Sequence, residues 1–162
     1  MGKHISRMEN YVSSMSNLRR MEDTQPDYKL IDLQPLVSSL YDSAKIVCTK
    51  NGKELILQND IPILQLSLDS AFISQVCNNL ISNAVRYART LVTISFALHD
   101  NGLLLSVSDD GNGFDKDSLQ KAANPYFTGE SNHSEHFGLG LYICKLLCEH
   151  HNGYFQIWYI VN

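Results

Sequence analysis

The chain of 162 residues has no apolar run near the roughly 20 residues that a membrane-spanning helix needs. No signal-peptide pattern opens it. It has no basic excess: 13 Lys and Arg stand against 17 Asp and Glu, for a net charge of −4 and a sequence pI near 5.8. That balance points to neither nucleic acid nor an anionic membrane as a partner. It has no paired CxxC spacing. Cys48, Cys77, Cys144 and Cys148 all fall in apolar patterns. Cys144 and Cys148, followed by His150 and His151, have a spacing open to a metal, but their Leu and Ile neighbours favour reduced core thiols in a cytosolic protein. "MGKHIS" matches a myristoylation pattern with no second anchoring signal, and reads as a chance match. What is present, 44% hydrophobic and 19% charged residues with 9 Gly and 4 Pro, suits a soluble, cytoplasmic domain able to bury one core.

Periodicity supplies the organisation. Ile5, Met8, Val12, Met15 and Leu18 recur at steps of three and four, which predicts an amphipathic helix of about five turns ending before Pro26. Such a helix alone is marginal in water. It is either a packing helix or half of a helical hairpin that dimerises. "YKLID" predicts a short strand, after which Asp32 can cap a helix running to Lys50, with Asn51-Gly52 as its stop. "ELILQ" and "ILQLSL" are strand candidates, and Asp69 caps the next helix, "DSAFISQVCNNLISNAVRYAR". "TLVTISFALHD", a turn at Asn101-Gly102 and "LLLSVS" read as a hairpin. From Phe114 to Phe137 the chain is polar, as in a lid. "GLGLYICKLLCEHH" then reads as a helix and "GYFQIWYIV" as a final strand. This mixture predicts an α+β layered sheet rather than a doubly wound one.

Chemistry concentrates on the central helix. At 100° per residue Ile73, Val76, Cys77, Leu80, Ile81, Ala84 and Val85 share one broad side. Asn79, Asn83 and Arg86 fall within about 60° of one another on a different side, with Tyr87 at the edge. Asn is a poor interior helix former. The row is either ordinary solvent-facing surface or a polar face for a bound polyanion. In the second case an Asn oxygen can ligate Mg²⁺ and a guanidinium can hold phosphate. "DDGNG" (Asp109 to Gly113) follows a strand; alone it reads as a turn. "GLGL" (Gly138 to Leu141) opens a helix, where free N–H groups and the dipole favour an anion. Four features in this order are far more specific than any one.

Together they resemble the ATP-binding domain of sensor histidine kinases, within the gyrase, heat-shock chaperone, histidine kinase and MutL superfamily. "NNLISNAVRYA" resembles its Asn box, "DDGNG" its first glycine box, "PYF" its Phe box and "FGLGLYICK" its second glycine box. The resemblance is strong over about residues 69–153 and weaker back to residue 1. It implies a two-layer α/β sandwich of Bergerat type: a mixed sheet with helices on one face, preceded by the amphipathic helix. Residues 1–26 would be a remnant of the dimerisation hairpin, its second helix with a linker, and residues 27–162 the catalytic domain, either lacking a final strand or closing its sheet differently.

The resemblance also implies roles. Asp109 accepts the exocyclic amine of adenine, and Gly111 and Gly113 let the backbone lie against the base. Asp110 and Asn112 fill variable positions. Asn83 is the Mg²⁺ ligand, Arg86 faces the phosphates, and Tyr87 lies beside the nucleotide. Phe127 belongs to the lid, while Gly138, Leu139, Gly140 and Leu141 cradle the phosphates. Asn79 stands where hydrolytic relatives carry the Glu that activates water; an amide cannot take that proton. Asn79, Asn83 and Arg86 are therefore the catalytic set of a kinase using ATP and Mg²⁺, with positioning and charge neutralisation supplying the rate.

Three features depart from the family pattern. No His-Glu/Asp-x-Arg box is present, and His4 lacks the following acid, so the phosphoacceptor histidine is expected on a helix outside this chain. His136 stands where relatives often carry the first of three alternating glycines, and residues 129–135 hold no Lys or Arg. The implied partners are a second copy through the hairpin of the intact protein and a response regulator. Nucleic acid is not expected, and a membrane only through upstream segments. The alternative is a degenerate nucleotide-binding or dimerisation module; a gyrase-like hydrolase is disfavoured by Asn79.

Overall fold

The computed structural model describes residues 9, 12, 16, 19–113, 121 and 140–157. The chain divides into two compact units, Asp27–Gly113 and a second formed by Met1–Pro26 with Phe114–Asn162.

The first unit begins with β1, Lys29–Asp32, and α1, Leu33–Lys50. Asp32 stands at the N-cap position, but its side chain caps nothing; it accepts from Gln65 Nε2 at 2.6 Å. The predicted cap is displaced because β3, Gln65–Leu68, pairs antiparallel with β1 and sets Gln65 opposite Asp32. A neighbouring strand end meets the helix start instead: the Leu33 amide donates to the Leu64 carbonyl at 3.1 Å. The predicted stop at Asn51-Gly52 forms with Gly52 at φ +67° and Lys53 N donating back to Cys48 O at 2.9 Å. That left-handed closure satisfies the last helical carbonyls.

After β2 (Glu54–Asn59) and β3 comes α2, Ser70–Tyr87, then β4, Leu91–His99, and β5, Gly102–Asp109. Asp69 caps α2 as predicted, accepting from Phe72 N at 3.1 Å, and it also accepts from Asp27 N at 2.8 Å. The chain from β2 to β4 crosses over through α2, so those two strands run parallel, Glu54 opposite Leu91 through Asn59 opposite Phe96. β4 and β5 form an antiparallel hairpin. The result is a mixed three-stranded sheet, β2–β4–β5, beside the two-stranded β1–β3 ribbon. The hairpin turn sits one residue earlier than predicted. Asp100 and Asn101 carry the positive φ values, 50° and 63°, and Gly102 already pairs with His99. A two-residue turn needs left-handed geometry at both central positions, and Asp and Asn tolerate it.

Helices cover one face of this sheet. Val92, Ile94 and Phe96 on β4 are at most 1% exposed, alternating with half-buried Leu91, Thr93, Ser95 and Ala97. They join one core with Leu33, Val37, Leu40 and Ala44 of α1 and Cys77, Ile81, Ala84 and Val85 of α2. The apolar side of α2 is the one its periodicity predicts, joined by buried Phe72. Burial raises the Cys48 thiol, and pushes the Cys77 thiol up to about 12, as inert core cysteines.

In the second unit, residues 19–23 are helical, Val12 of the predicted stripe is exposed, and α3 spans Gly140–His150 with Cys144 and Leu147 buried. Burial, with the Glu149 charge second, pushes the Cys148 thiol up to about 11. Among the described residues no cluster of His, Cys, Asp and Glu could hold a metal. The α3 terminus closes with Asn152 at φ +60° and Gly153 N donating to Cys148 O at 2.7 Å. The predicted final strand does not form over residues 153–157, which are irregular; residues 158–162 lie outside the described set. Aromatic and branched residues favour a strand only where a ladder partner exists. Ile5, Met8, Met15 and Leu18 also lie outside it, as do Phe127, His136, Gly138 and Leu139. No described helix is long and apolar enough to cross a membrane.

Candidate functional site

Within Asp27–Gly113 the structure brings together the C-terminal half of α2 and the end of β5. The tightest approach is at Gly111. A Cβ built there would lie 2.2 Å from the Tyr87 carbonyl oxygen, 3.0 Å from its carbon and 2.7 Å from Asp109 Oδ1. No side chain fits, so glycine at this position is required by the protein's own packing, before any ligand is considered. Gly113, at φ +74°, has backbone geometry that L-residues rarely adopt.

Asp109 ends β5 at the surface, with Oδ1 accepting from Gly111 N at 2.8 Å. This leaves further acceptor capacity on the carboxylate. Desolvation, the largest influence, pushes its carboxyl above the ordinary range; the Gly111 amide pulls it down and the Asp110 charge adds to the rise. Its neighbour behaves oppositely. Asp110 Oδ1 accepts from the amides of Arg89, Thr90 and Leu91 at 2.7, 3.0 and 3.2 Å, and Oδ2 from Thr90 Oγ1 at 2.8 Å. Those donors, the Thr90 amide first, hold the Asp110 carboxyl far below the usual carboxylate range against a desolvation that opposes them. Two adjacent acids thus have opposed environments.

On α2 the polar row is partly covered: Asn79, Asn83, Arg86 and Tyr87 are all half-buried. Arg86 Cζ lies 5.2 Å from the Tyr87 ring centroid. The Asn79 Nδ2 and Arg86 Nη2 atoms are buried and have no hydrogen-bond partner among the described residues. An unsatisfied buried donor costs about 1–3 kcal/mol, more for a charged group. Native folds keep few of them, and mostly where a ligand or water completes the set.

Residues 68–160 match the family model described as histidine kinase-, DNA gyrase B- and HSP90-like ATPase. The chain belongs to this family. The sensor protein kinase PilS of Pseudomonas aeruginosa is 31% identical over 150 residues, covering 88% of this chain and 27% of PilS. The catalytic domain of the histidine kinase ThkA, 23% identical, superposes with a TM-score of 0.65 over 77% of this chain and 82% of that one. Full-length ShkA in complex with AMPPNP, 20% identical, does so with a TM-score of 0.67 over 78% of this chain and 27% of that one. The fold is that of histidine kinase catalytic domains. The chain spans about a quarter of the length of the curated relatives it matches.

All the sequence-predicted site residues fall inside the matched segment of this ATPase-family domain. Seven of them, Asn79, Asn83, Arg86, Tyr87, Asp109, Gly111 and Gly113, lie in the Asp27–Gly113 unit. Gly140 and Leu141 open α3 in the other unit, and Phe127, Gly138 and Leu139 lie outside the described residues. A Cβ on Gly140 would meet nothing within 4 Å, so, unlike Gly111, no contact among the described residues demands glycine there. Sequence reasoning missed Asp110, which it left at a variable position. Its partners lie 19 to 21 residues away, beyond any local pattern.

The donor set can be tested for fit to a magnesium nucleotide. Asn79 Nδ2 and Arg86 Nη2 are donors only, suited to phosphate oxygen or water. Asn79 and Asn83, one turn apart on that row, each carry an amide oxygen of the kind a hard cation takes as a ligand. Magnesium commonly keeps several waters and takes its remaining ligands from one or two side chains and the substrate phosphates. The residues present fit such a group.

Proposed function

We propose that this ATPase-family chain is the catalytic domain of a two-component sensor histidine kinase, transferring the ATP γ-phosphate to a histidine on a helix outside the chain. The response regulator would then receive that phosphate. The observation that carries the reading is the pair of orphaned donors on α2, Asn79 Nδ2 and Arg86 Nη2, in the unit that also presents the Asp109 carboxylate. The AMPPNP complex of ShkA and the kinase names of the relatives support the same ligand and chemistry.

In this reading Asp109 accepts the adenine amine, an interaction guanine reverses by presenting a carbonyl. Tyr87 lies beside the nucleotide, Arg86 holds phosphate oxygens, and Asn83 supplies the protein's ligand to Mg²⁺. When bound, the ion neutralises charge developing on the phosphoryl oxygens. Asn79 donates to phosphate or an ordered water and, being an amide, gives water no base. By the resemblance Phe127 would belong to the lid, Gly138, Leu139, Gly140 and Leu141 would cradle the phosphates, and Gly111 and Gly113 would let the backbone lie against the base. Residues 1–26 are read as the second arm of a dimerising hairpin and 27–162 as the catalytic domain, in the cytoplasmic part of a membrane-bound sensor.

Calorimetric titration of ATP, ADP and GTP, with and without Mg²⁺, on the chain and on Asp109→Asn tests this. Adenine-selective binding, strengthened by Mg²⁺ for ATP and lost in the variant, is expected. A folded sample that binds no nucleotide would overturn the proposal. Transfer of labelled phosphate to a supplied acceptor-helix hairpin separates a kinase from a nucleotide-binding module.

A further inference from the structure

The link between α2 and β4, Ala88 to Thr90, is held on almost every backbone polar group. Lys53 Nζ donates to the carbonyls of Ala88 at 2.7 Å and Arg89 at 3.0 Å, and the Glu54 amide donates to the Thr90 carbonyl at 2.8 Å. The Ala88 amide donates back into the helix, to Ala84 O at 2.8 Å. The amides of Arg89, Thr90 and Leu91 all donate to Asp110, whose own amide donates to the Leu91 carbonyl at 3.2 Å. Arg89 further donates from Nη2 to Asn112 Oδ1. A surface turn needs no such set, because water satisfies exposed backbone groups.

We infer that Asp110, with Lys53 opposite it, is a positioning residue that fixes the Asp109 carboxylate against the end of α2 and so sets nucleotide-base discrimination. Tyr87 immediately precedes the clamped link, and Gly111 immediately follows the clamping acid. The Tyr87 carbonyl occupies the space of a Gly111 Cβ. Releasing Asp110 frees the β5 end to slide on Tyr87, carrying with it the Gly111 amide that orients Asp109 Oδ1. Asp110 touches no nucleotide in this account; it acts through its neighbour. The inference rests on the proposed role of Asp109 in reading adenine.

The test compares ATP with ITP, which carries a carbonyl in place of the amine, on the full chain, Asp110→Ala, Asp110→Asn and Lys53→Met. Asp110→Ala should compress the ATP-to-ITP affinity ratio by about tenfold, the value of one charge-assisted hydrogen bond. Asp110→Asn keeps one acceptor oxygen and should retain part of the discrimination. Lys53→Met, which releases the carbonyl side of the clamp, should compress the ratio too, and stands in if Asp110→Ala does not fold. A clamp that only stabilises the fold would lower the binding-competent fraction for both nucleotides equally. An unchanged ratio in folded variants therefore overturns the inference while leaving the nucleotide reading intact. A parent chain that binds ATP and ITP alike overturns the inference together with the adenine-reading role of Asp109 on which it rests, and leaves nucleotide binding itself standing.

Discussion

Gly111→Ala is the most exacting single perturbation that this structure offers, because its clash is with backbone rather than with a yielding side chain. The added Cβ would lie 2.2 Å from the Tyr87 carbonyl oxygen. An ordinary carbon–oxygen approach is about 3.3 Å, so the β5 end or the α2 terminus must give by roughly 1 Å. The α2 side is held by Lys53 on the carbonyls of Ala88 and Arg89 just past the helix and by Asp110 on the amides that follow. The movement therefore falls on the glycine stretch, where Asp109 Oδ1, at 2.7 Å from the same Cβ, is displaced as well. Overpacking of this kind costs about 1–3 kcal/mol. For a unit of under 100 residues, each kcal/mol lowers the thermal midpoint by about 4–8 °C. A misplacement near 1 Å at a site of binding chemistry can weaken function by about a hundredfold. We expect a folded but destabilised protein, read by urea and thermal unfolding, whose ATP affinity falls by far more than partial unfolding explains. Gly140→Ala, with no atom of the described residues within 4 Å of the new methyl, should leave stability nearly unchanged and serves as the control for the unfolding measurement alone. A Gly111→Ala protein matching the parent in midpoint and affinity would refute the steric reasoning.

The two adjacent acids should respond to neutralisation with opposite signs. The Asp109 carboxyl is raised in the fold, so ionisation opposes folding; Asp109→Asn should match or exceed the parent's thermal midpoint at pH 7 while losing adenine selectivity, and any gain should vanish as pH falls into the ordinary carboxylate range. The Asp110 carboxyl is depressed, so its stabilisation is present above the ordinary Asp range and lost as pH falls through its folded value; Asp110→Asn should lower the midpoint at pH 7 by an amount that shrinks on acidification, followed by thermal melts from pH 7 to 3. Asp69→Ala removes the acceptor for Phe72 N and Asp27 N from a buried position and should cost about 1–3 kcal/mol in urea unfolding. Cys77, buried with its thiol near 12, should resist a thiol-specific reagent in the native protein and react fully in denaturant.

Sequence periodicity by itself determined most of the architecture of the first unit. A step of 3.6 residues placed the buried side of α2 from Val76 to Val85, and with it the row of Asn79, Asn83 and Arg86 on a different side. Alternation and turn residues located the β4–β5 hairpin to within one residue, and Asp69 was readable as a cap because its partner Phe72 lies three residues away. These features are local: each rests on geometry that repeats within a turn or a pleat. What only the tertiary structure decided involves partners far apart in the chain. Asp32 looked like a cap and instead binds Gln65, 33 residues on, because strand pairing sets them opposite each other. Asp110 looked like a filler between two functional positions and became the acceptor for three consecutive amides. Gly111 looked like room for a ligand, yet its space is taken by the Tyr87 carbonyl. The aromatic run after Gly153 had strand propensity without a ladder over residues 153–157. Propensity and spacing specify which surface a residue faces; which atoms meet it there is set by how the chain returns, and no local pattern carries that distance.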